Sequence, residues 1–478
     1  MRGAIVLTAV ARTVVALAAV MMLVAVAPLG TASAVTPPNP DVAAAPPDGP
    51  PGPDGPMRKN GGCVVGGVLP NSDLAKTPPP LTTLQIQQAH KFSTGAGVMV
   101  AVIDTGVRPQ PRLPGMIPGG DYVDPANNGF DDCEGHGTIV AGIIGAAPAA
   151  TDGLIGVAPN AQILAIRQTS LAYMPENQSS NPDDPNSSRT AGDIRTLARA
   201  IVHAANMGAR VINVSVVSCV KVSNPIDQAM LGGAVKYATE VKDALVVAAA
   251  GNINASVDAG AGKNQGCKSN PDADPTHPDD PRNWKGVSVV STPSWFDDQV
   301  LSVGFVSPDG VRAENSMAGP WVDVAAPGSG IVSLSSSGEG VINGVPGDEG
   351  GLVPIAGTSF AAAYVSGVAA LLRSRFPKMT ASEVATRIIT TAHAPARGVD
   401  NAVGRGLIDP VAALTYEIPV DGAPAMTVQA AELSLPQPPP PPDSGPKWTA
   451  AIAVGVAAAV VAAVLIVVAA TGIRRRGR

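Results

Sequence analysis

The pattern of apolar positions between residues 81 and 415 alternates short, continuously hydrophobic runs with longer amphipathic stretches. Residues 193–207 have the spacing of an amphipathic helix. Strands that are apolar throughout and alternate with helices are typical of a parallel sheet covered by helices on both faces. The sequence therefore predicts an α/β domain of this architecture over residues 81–415. Four runs are rich in β-branched and small apolar residues and predict its buried strands at 98–103, 162–166, 211–215 and 245–249.

A different apolar pattern occupies the start of the chain. Residues 1–34 begin with Arg2, continue through an uncharged apolar run at 14–24 and finish with Ala32-Ser33-Ala34. A positive start, an apolar centre and a small-residue cleavage pattern predict a secretory signal peptide. An uncleaved membrane helix is the alternative, and the break at residues 28–30 before the small residues favours cleavage.

Residues 449–473 predict a transmembrane helix, followed by a cytoplasmic tail at 474–478. The stretch 450–470 contains no charged residue, and about twenty such residues are long enough to cross a bilayer core. Trp448 stands at one flank and a cluster of arginines at the other, which marks the basic side as cytoplasmic. We expect a single-pass protein with its body on the extracytoplasmic (periplasmic) side of the cell membrane.

Proline-rich segments flank the α/β domain on both sides. Residues 35–80 are rich in Pro, Gly and Asp and predict an extended arm rather than a folded inhibitory pro-domain. Residues 416–448 include five consecutive prolines at 438–442 and predict a stiff linker between domain and membrane. The polar stretches 170–192 and 263–285 are interpreted as surface insertions.

The body is strongly acidic once the ends are set aside. The chain has a formal net charge of −6, but six arginines and no acidic residue lie in the predicted signal peptide and tail, which leaves −12 on residues 35–473. A domain with this charge is a poor partner for nucleic acid or for anionic lipid. We therefore expect no nucleic-acid partner, and a membrane contact through the one helix alone.

Four cysteines form an even set in a chain that is predicted to be exported. None are spaced as CxxC, so no zinc site is expected. An oxidising compartment favours disulfides, and four cysteines allow three pairings. We expect Cys63–Cys133 and Cys219–Cys267, because the second pair joins near neighbours and the first would tie the arm just before His136.

Three short motifs carry candidate chemistry. A carboxylate at the end of a buried strand, here Asp104, stands where parallel sheets place their active sites. His136 can act as the base that takes the proton of a serine, and Asp104 would orient its imidazole. Ser359 precedes a long apolar helix, whose N-terminus favours negative charge. The motifs are Asp104-Thr105-Gly106, Gly135-His136-Gly137-Thr138 and Gly357-Thr358-Ser359.

A fourth element is Asn252, which follows the buried strand at 245–249. Its side-chain amide can donate a hydrogen bond to the oxyanion of a tetrahedral intermediate. Each motif taken alone could be an ordinary turn or helix cap. Their order along the chain, Asp then His then Ser, is that of the subtilisins and not that of the chymotrypsins or α/β-hydrolases.

With these motifs the chain resembles the subtilases over residues 84–415. Residues 100–107, 319–328 and 404–409 are similar to further family signatures. The signal peptide, arm, cysteines, proline-rich spacer and membrane helix narrow the resemblance to the mycosins, mycobacterial subtilases associated with type VII secretion. The resemblance implies a subtilisin-like fold and a serine endopeptidase that acts on selected exported protein or peptide substrates. It also implies a type VII secretion membrane complex as a partner.

One departure from the family concerns the substrate cleft. Subtilisins usually have glycines along the edge where this chain has Val216 and Val217. We expect the substrate to lie against Ser215, Val216, Val217, Ala249 and Gly251. The two valines should narrow the first specificity pocket and favour cleavage of few substrates.

Three alternative features of the sequence bear on this interpretation. An aspartic protease would need a second motif, and the only similar triplet, at 443–445, lies in the linker without a flanking strand. A structural subunit of a membrane complex with little essential catalysis stays open beside the enzyme. A calcium site in the acidic stretch 121–132 is less favoured than a solvated loop, and no metal or cofactor is expected.

Overall fold

The structure, a computed structural model, describes residues 35–177, 191–223, 225–253, 267–347, 350–396, 398–417 and 445–475. The predicted signal peptide and most of the predicted linker lie outside the described residues. The chain forms two units, a body that ends at Glu417 and a C-terminal unit that begins at Ile418.

The strands of the body are β1 (Met57–Lys59), β2 (Met99–Asp104), β3 (Met116–Asp121), β4 (Gln162–Arg167), β5 (Tyr173–Pro175), β6 (Val211–Val214), β7 (Ser218–Lys221), β8 (Leu245–Ala249), β9 (Val289–Thr292), β10 (Val300–Val306), β11 (Val322–Pro327), β12 (Ser333–Leu334), β13 (Val341–Ile342), β14 (Gly344–Pro346) and β15 (Leu352–Pro354). The helices are α1 (Pro79–Thr83), α2 (Ile86–Ala89), α3 (His136–Gly145), α4 (Ile194–Asn206), α5 (Ala229–Lys236), α6 (Thr358–Arg375), α7 (Ala381–Thr391), α8 (Pro410–Thr415) and, in the C-terminal unit, α9 (Gly445–Arg475).

Seven strands form one parallel sheet in the order β11-β10-β8-β6-β2-β4-β3. The four predicted strands are β2, β4, β6 and β8, and all four lie together in this sheet. Strand β2 is the point where the order reverses, because β4 pairs on one side of it and β6 on the other. In open α/β sheets such a switch point opens a crevice at the carboxyl ends of the strands.

Helices cover both faces of the sheet, as the apolar strands predict. Along β2, Val100 and Val102 face a core that includes α3 and α6, whereas Ala101 and Ile103 face a core that includes α4 and α5. The alternation follows from the two-residue period of a strand. The predicted fold class, a subtilisin-like α/β domain with helices on both faces, is confirmed.

The arm lies along the body. Strand β1 pairs antiparallel with β5, which lies in the stretch interpreted as a surface insertion. Asp54 accepts a hydrogen bond from Arg199 of α4 at 2.8 Å. Asp48 Oδ1 lies 2.9 Å from Nδ1 of His203 on the same helix. Farther along, Gly67 bridges Gly344 of β14.

Helix α9 forms the C-terminal unit. Its segment Thr449–Val467 has a mean hydropathy of 2.9 and is long and apolar enough to cross a membrane. It is the one candidate span in the part of the chain that the structure describes.

Candidate active site

Asp104 and His136 form a buried pair at the switch point. Asp104 is the last residue of β2, and His136 is the first residue of α3. Asp104 Oδ1 lies 2.6 Å from His136 Nδ1, and both side chains are almost completely buried. The backbone N–H of Thr105 donates to the same Asp104 oxygen at 2.7 Å. A carboxylate held in this way fixes the orientation of the imidazole.

The glycine after His136 allows the pair to form. A Cβ at Gly137 would lie 1.9 Å from the carbonyl oxygen of Gly106 and 3.1 Å from the Asp104 side chain. Only a residue without a side chain lets the first turn of α3 approach the end of β2 so closely. The Gly-His-Gly motif is therefore a packing requirement of the site.

Ser359 lies in the first turn of α6, which reaches the same edge of the sheet. The His136 ring lies 5.3 Å from the ring of Phe360, the next residue of α6. Ser359 Oγ donates to the carbonyl oxygen of Ser215 at 3.2 Å. The structure thus brings Asp104, His136 and the start of α6 together.

Asn252 is fixed against the same helix start. Its Oδ1 accepts from Thr358 N at 2.9 Å and lies 3.1 Å from Thr358 Oγ1, which also donates to it. Because the oxygen of the amide is held by α6, the nitrogen is the end of this side chain that can donate to a reacting group. This orientation suits the oxyanion role that the sequence predicts.

The five predicted substrate contacts differ in their surroundings. Ser215 and Gly251 both touch α6, since Ser215 Oγ donates to the Ser359 carbonyl at 3.2 Å and Gly251 N donates to Thr358 Oγ1 at 3.3 Å. Val217 is buried in the core, and Val216 is half-buried. Ala249 is buried, and its carbonyl accepts from Ser294 Oγ at 2.6 Å.

Only the middle of the acidic stretch 121–132 is exposed, so the interpretation as a solvated loop holds there and fails at its two ends. Asp121 is buried and accepts from Arg167 Nε at 2.8 Å, while burial raises the pKa of its carboxyl. Asp132 is buried beside the Asp104–His136 pair. The sequence showed only a run of acids and gave no sign of the partners that allow their burial. Among the described residues, no group of three His, Cys, Asp or Glu side chains is arranged to hold a metal ion.

Both expected disulfides are present. Cys63 is bonded to Cys133 and Cys219 to Cys267, and the described residues include no free cysteine. The first bond ties the arm to the residue three positions before His136. The second joins β7 to Cys267, near the start of the stretch 263–285 that the sequence predicts to be an insertion.

Three features together define a class of enzyme: the fold, the buried Asp–His pair and the helix that carries Ser359. Residues 95–406 match the model of the subtilase family. The protein is accordingly a subtilisin-like serine protease.

Its relatives narrow the class. Mycosin-1 of Mycolicibacterium smegmatis is 47% identical over 92% of this chain and 95% of its own length. A crystal structure of MycP1 from the ESX-1 type VII secretion system has a TM-score of 0.76 and 50% identity, and covers 81% of this chain and 98% of that one. A chain in the structure of an intact ESX-5 inner membrane complex has a TM-score of 0.76 at 46% identity, covering 90% and 99%. The chain belongs to the mycosins, within the subtilase family.

Proposed function

We propose that this protein is a membrane-anchored serine endopeptidase with Asp104, His136 and Ser359 as its catalytic triad. His136 takes the proton of Ser359 Oγ as the hydroxyl attacks the scissile carbonyl, and Asp104 stabilises the resulting imidazolium. Asn252 donates to the oxyanion of the tetrahedral intermediate. The observation that carries the proposal is the buried 2.6 Å contact between Asp104 and His136 beside the first turn of α6.

Covalent labelling of the full chain, purified in detergent, tests this triad. A fluorophosphonate probe reacts with a serine only when a base activates it. The wild type should label and Ser359→Ala should not. Ser374→Ala is the matched control, because Ser374 lies near the far end of the same helix and its hydroxyl donates to the Ala96 carbonyl. Label retained in Ser359→Ala would place the nucleophile elsewhere.

We propose further that the domain works outside the cytoplasmic membrane while α9 anchors it. The apolar segment Thr449–Val467 and the arginines that follow it support this topology. A protease added to spheroplasts should digest the body and spare a tag fused after Arg478. Digestion of the tag with protection of the body would reverse the orientation.

We also propose a type VII secretion membrane complex as the partner and selected exported proteins as substrates. The likeness to a chain of the ESX-5 inner membrane complex supports this partner. The same observation favours a second candidate function, a structural subunit whose catalysis is dispensable for assembly. Co-purification of the secretion membrane components with Ser359→Ala would fit both functions, and absence of any such components from the wild type would exclude this partner.

A further inference from the structure

Asp132 receives hydrogen bonds from both elements that carry the Asp104–His136 pair. Its Oδ1 accepts from Thr105 Oγ1 and from Gly135 N, each at 2.8 Å. Its Oδ2 accepts from Thr138 N at 2.8 Å and from Thr138 Oγ1 at 2.5 Å. Thr105 directly follows Asp104, whereas Gly135 and Thr138 flank His136 on α3. One buried carboxylate therefore binds four donors from two elements.

Thr105 completes the connection to the pair. Its Oγ1 accepts from Gly137 N at 2.9 Å, and its backbone N–H donates to Asp104 Oδ1 at 2.7 Å. We propose that Asp132 is a positioning residue for catalysis: it fixes the turn after β2 to the first turn of α3 and so holds the His136 imidazole against Asp104. This role rests on the triad proposed above.

The two residues that follow Asp132 attach the same loop to other parts of the chain. Cys133 is bonded to the arm through Cys63. Glu134 Oε1 accepts from Ser170 Oγ and Leu171 N, both at 2.7 Å. These contacts fasten the loop to the body, and they involve neither Asp104 nor His136. Glu134 is thus a buried acid in the same loop that serves as a matched control.

The four donors favour an ionised carboxyl, because protonation removes one of its acceptor positions and places a donor there instead. Burial raises the pKa of Asp132 to about 6, with the charge of Asp104 acting in the same direction and the Thr138 and Thr105 hydrogen bonds opposing it. The titratable groups that face it from the packed elements are Asp104 on β2 and His136 on α3. Asp131 and Glu134 in its own loop are directed to other partners.

The test is the rate of fluorophosphonate labelling of the full chain across the acid range, from about pH 4.5 to 8. Wild-type labelling needs both a neutral His136 and an ionised Asp132. As the pH falls, the labelling rate should therefore decrease with the uptake of two protons. Asp132→Asn keeps the shape but places an amide donor against these N–H and O–H groups. Its rate should be roughly tenfold to hundredfold lower at neutral pH, because the imidazole is misplaced. The labelling rate of Asp132→Asn should decrease at low pH with the uptake of one proton only.

Glu134→Gln should label like the wild type and keep the two-proton dependence, since its oxygen can still accept from Ser170 and Leu171. Thr138→Val removes one hydroxyl donor to Asp132 and the acceptor of Arg108 N, and should slow labelling less than Asp132→Asn does. If Asp132→Asn does not fold, Thr138→Val is used in its place to test the positioning role. The positioning role is overturned if Asp132→Asn labels within twofold of the wild-type rate, or if its labelling rate still depends on two protons. An unlabelled wild type would instead refute the triad itself.

Discussion

Ser359 and Ser215 are joined by a reciprocal pair of hydrogen bonds. The Ser359 hydroxyl donates to the Ser215 carbonyl, and the Ser215 hydroxyl donates to the Ser359 carbonyl, each at 3.2 Å. Ser215 also accepts from Asn213 Nδ2 at 2.8 Å. The start of α6 is thus fastened to the residue that follows β6, and the proposed nucleophile is held beside the predicted substrate edge.

Ser215→Ala should lower the free energy of unfolding by about 1–3 kcal/mol, because it leaves the Asn213 amide buried without its acceptor and removes one donor to the Ser359 carbonyl. Denaturant unfolding of the full chain measures the change. Ser374→Ala removes a single hydrogen bond near the other end of the same helix, to the Ala96 carbonyl, and should cost no more than about 1 kcal/mol. Equal losses in the two variants would mean that the reciprocal pair does not contribute more to the free energy of unfolding than a single hydrogen bond elsewhere on the helix.

Asn252→Asp should distinguish the role of the side-chain oxygen of Asn252 from the role of its nitrogen. Its oxygen can still accept from Thr358 N, but the donor to the oxyanion is gone. We expect kcat for a library-selected peptide to fall about 10²–10³-fold with little change in KM. A loss confined to KM would assign Asn252 to substrate binding instead.

Val216→Gly should widen the first specificity pocket. Val216 is half-buried, so its removal opens the cleft edge, whereas Val217→Gly would also cut into the core in which Val217 is packed. Profiling with a peptide library should show larger residues accepted on the amino-terminal side of the cleaved bond in Val216→Gly. An unchanged profile would mean that this edge does not limit substrate size.

Asp297 gives a pH dependence whose sign is fixed by its raised pKa. Burial raises the pKa to about 6 and the charge of Asp298 adds to the shift, against the opposing charge of Arg282. The folded protein therefore binds this proton more tightly than the unfolded chain does, and stability falls as pH rises from about 4 to 6. Asp297→Asn should melt above the wild type at neutral pH and together with it below about pH 4. Asp298→Asn, which alters the exposed neighbour, should show a smaller effect, and equal gains would assign the dependence to overall charge.

Anchorage and catalysis should be separable in cells. A strain with Ser359→Ala should keep export of secreted substrates largely intact, with altered processing of a few, because the domain remains in place. Deletion of the chain, or truncation at Lys447 just before the apolar segment of α9, should impair export itself. Substrate amounts in the culture medium compare the three strains. Export blocked as fully by Ser359→Ala as by deletion would make catalysis the essential function.

The sheet and the Asp–His pair were predictable because local signals and global fold agree. Continuous apolar runs specify strands of a parallel sheet, and a carboxylate after one of them falls at the carboxyl edge where the sheet order reverses. Asp132 was not predictable, because its burial depends on hydroxyl and N–H donors brought together only by the fold. The arm was predicted as extended, but its pairing with β5 depends on long-range contacts that no local pattern reports.

The Cys63–Cys133 bond also determines what a cut in the chain can do. Backbone cleavage anywhere between these residues would leave two polypeptides covalently joined, with β1 still paired to β5. The product would migrate as one species until a reductant is added. Release of the arm by a cut between Cys63 and Cys133 therefore requires two chemical events, hydrolysis and reduction, and an oxidising compartment supplies only conditions for the first.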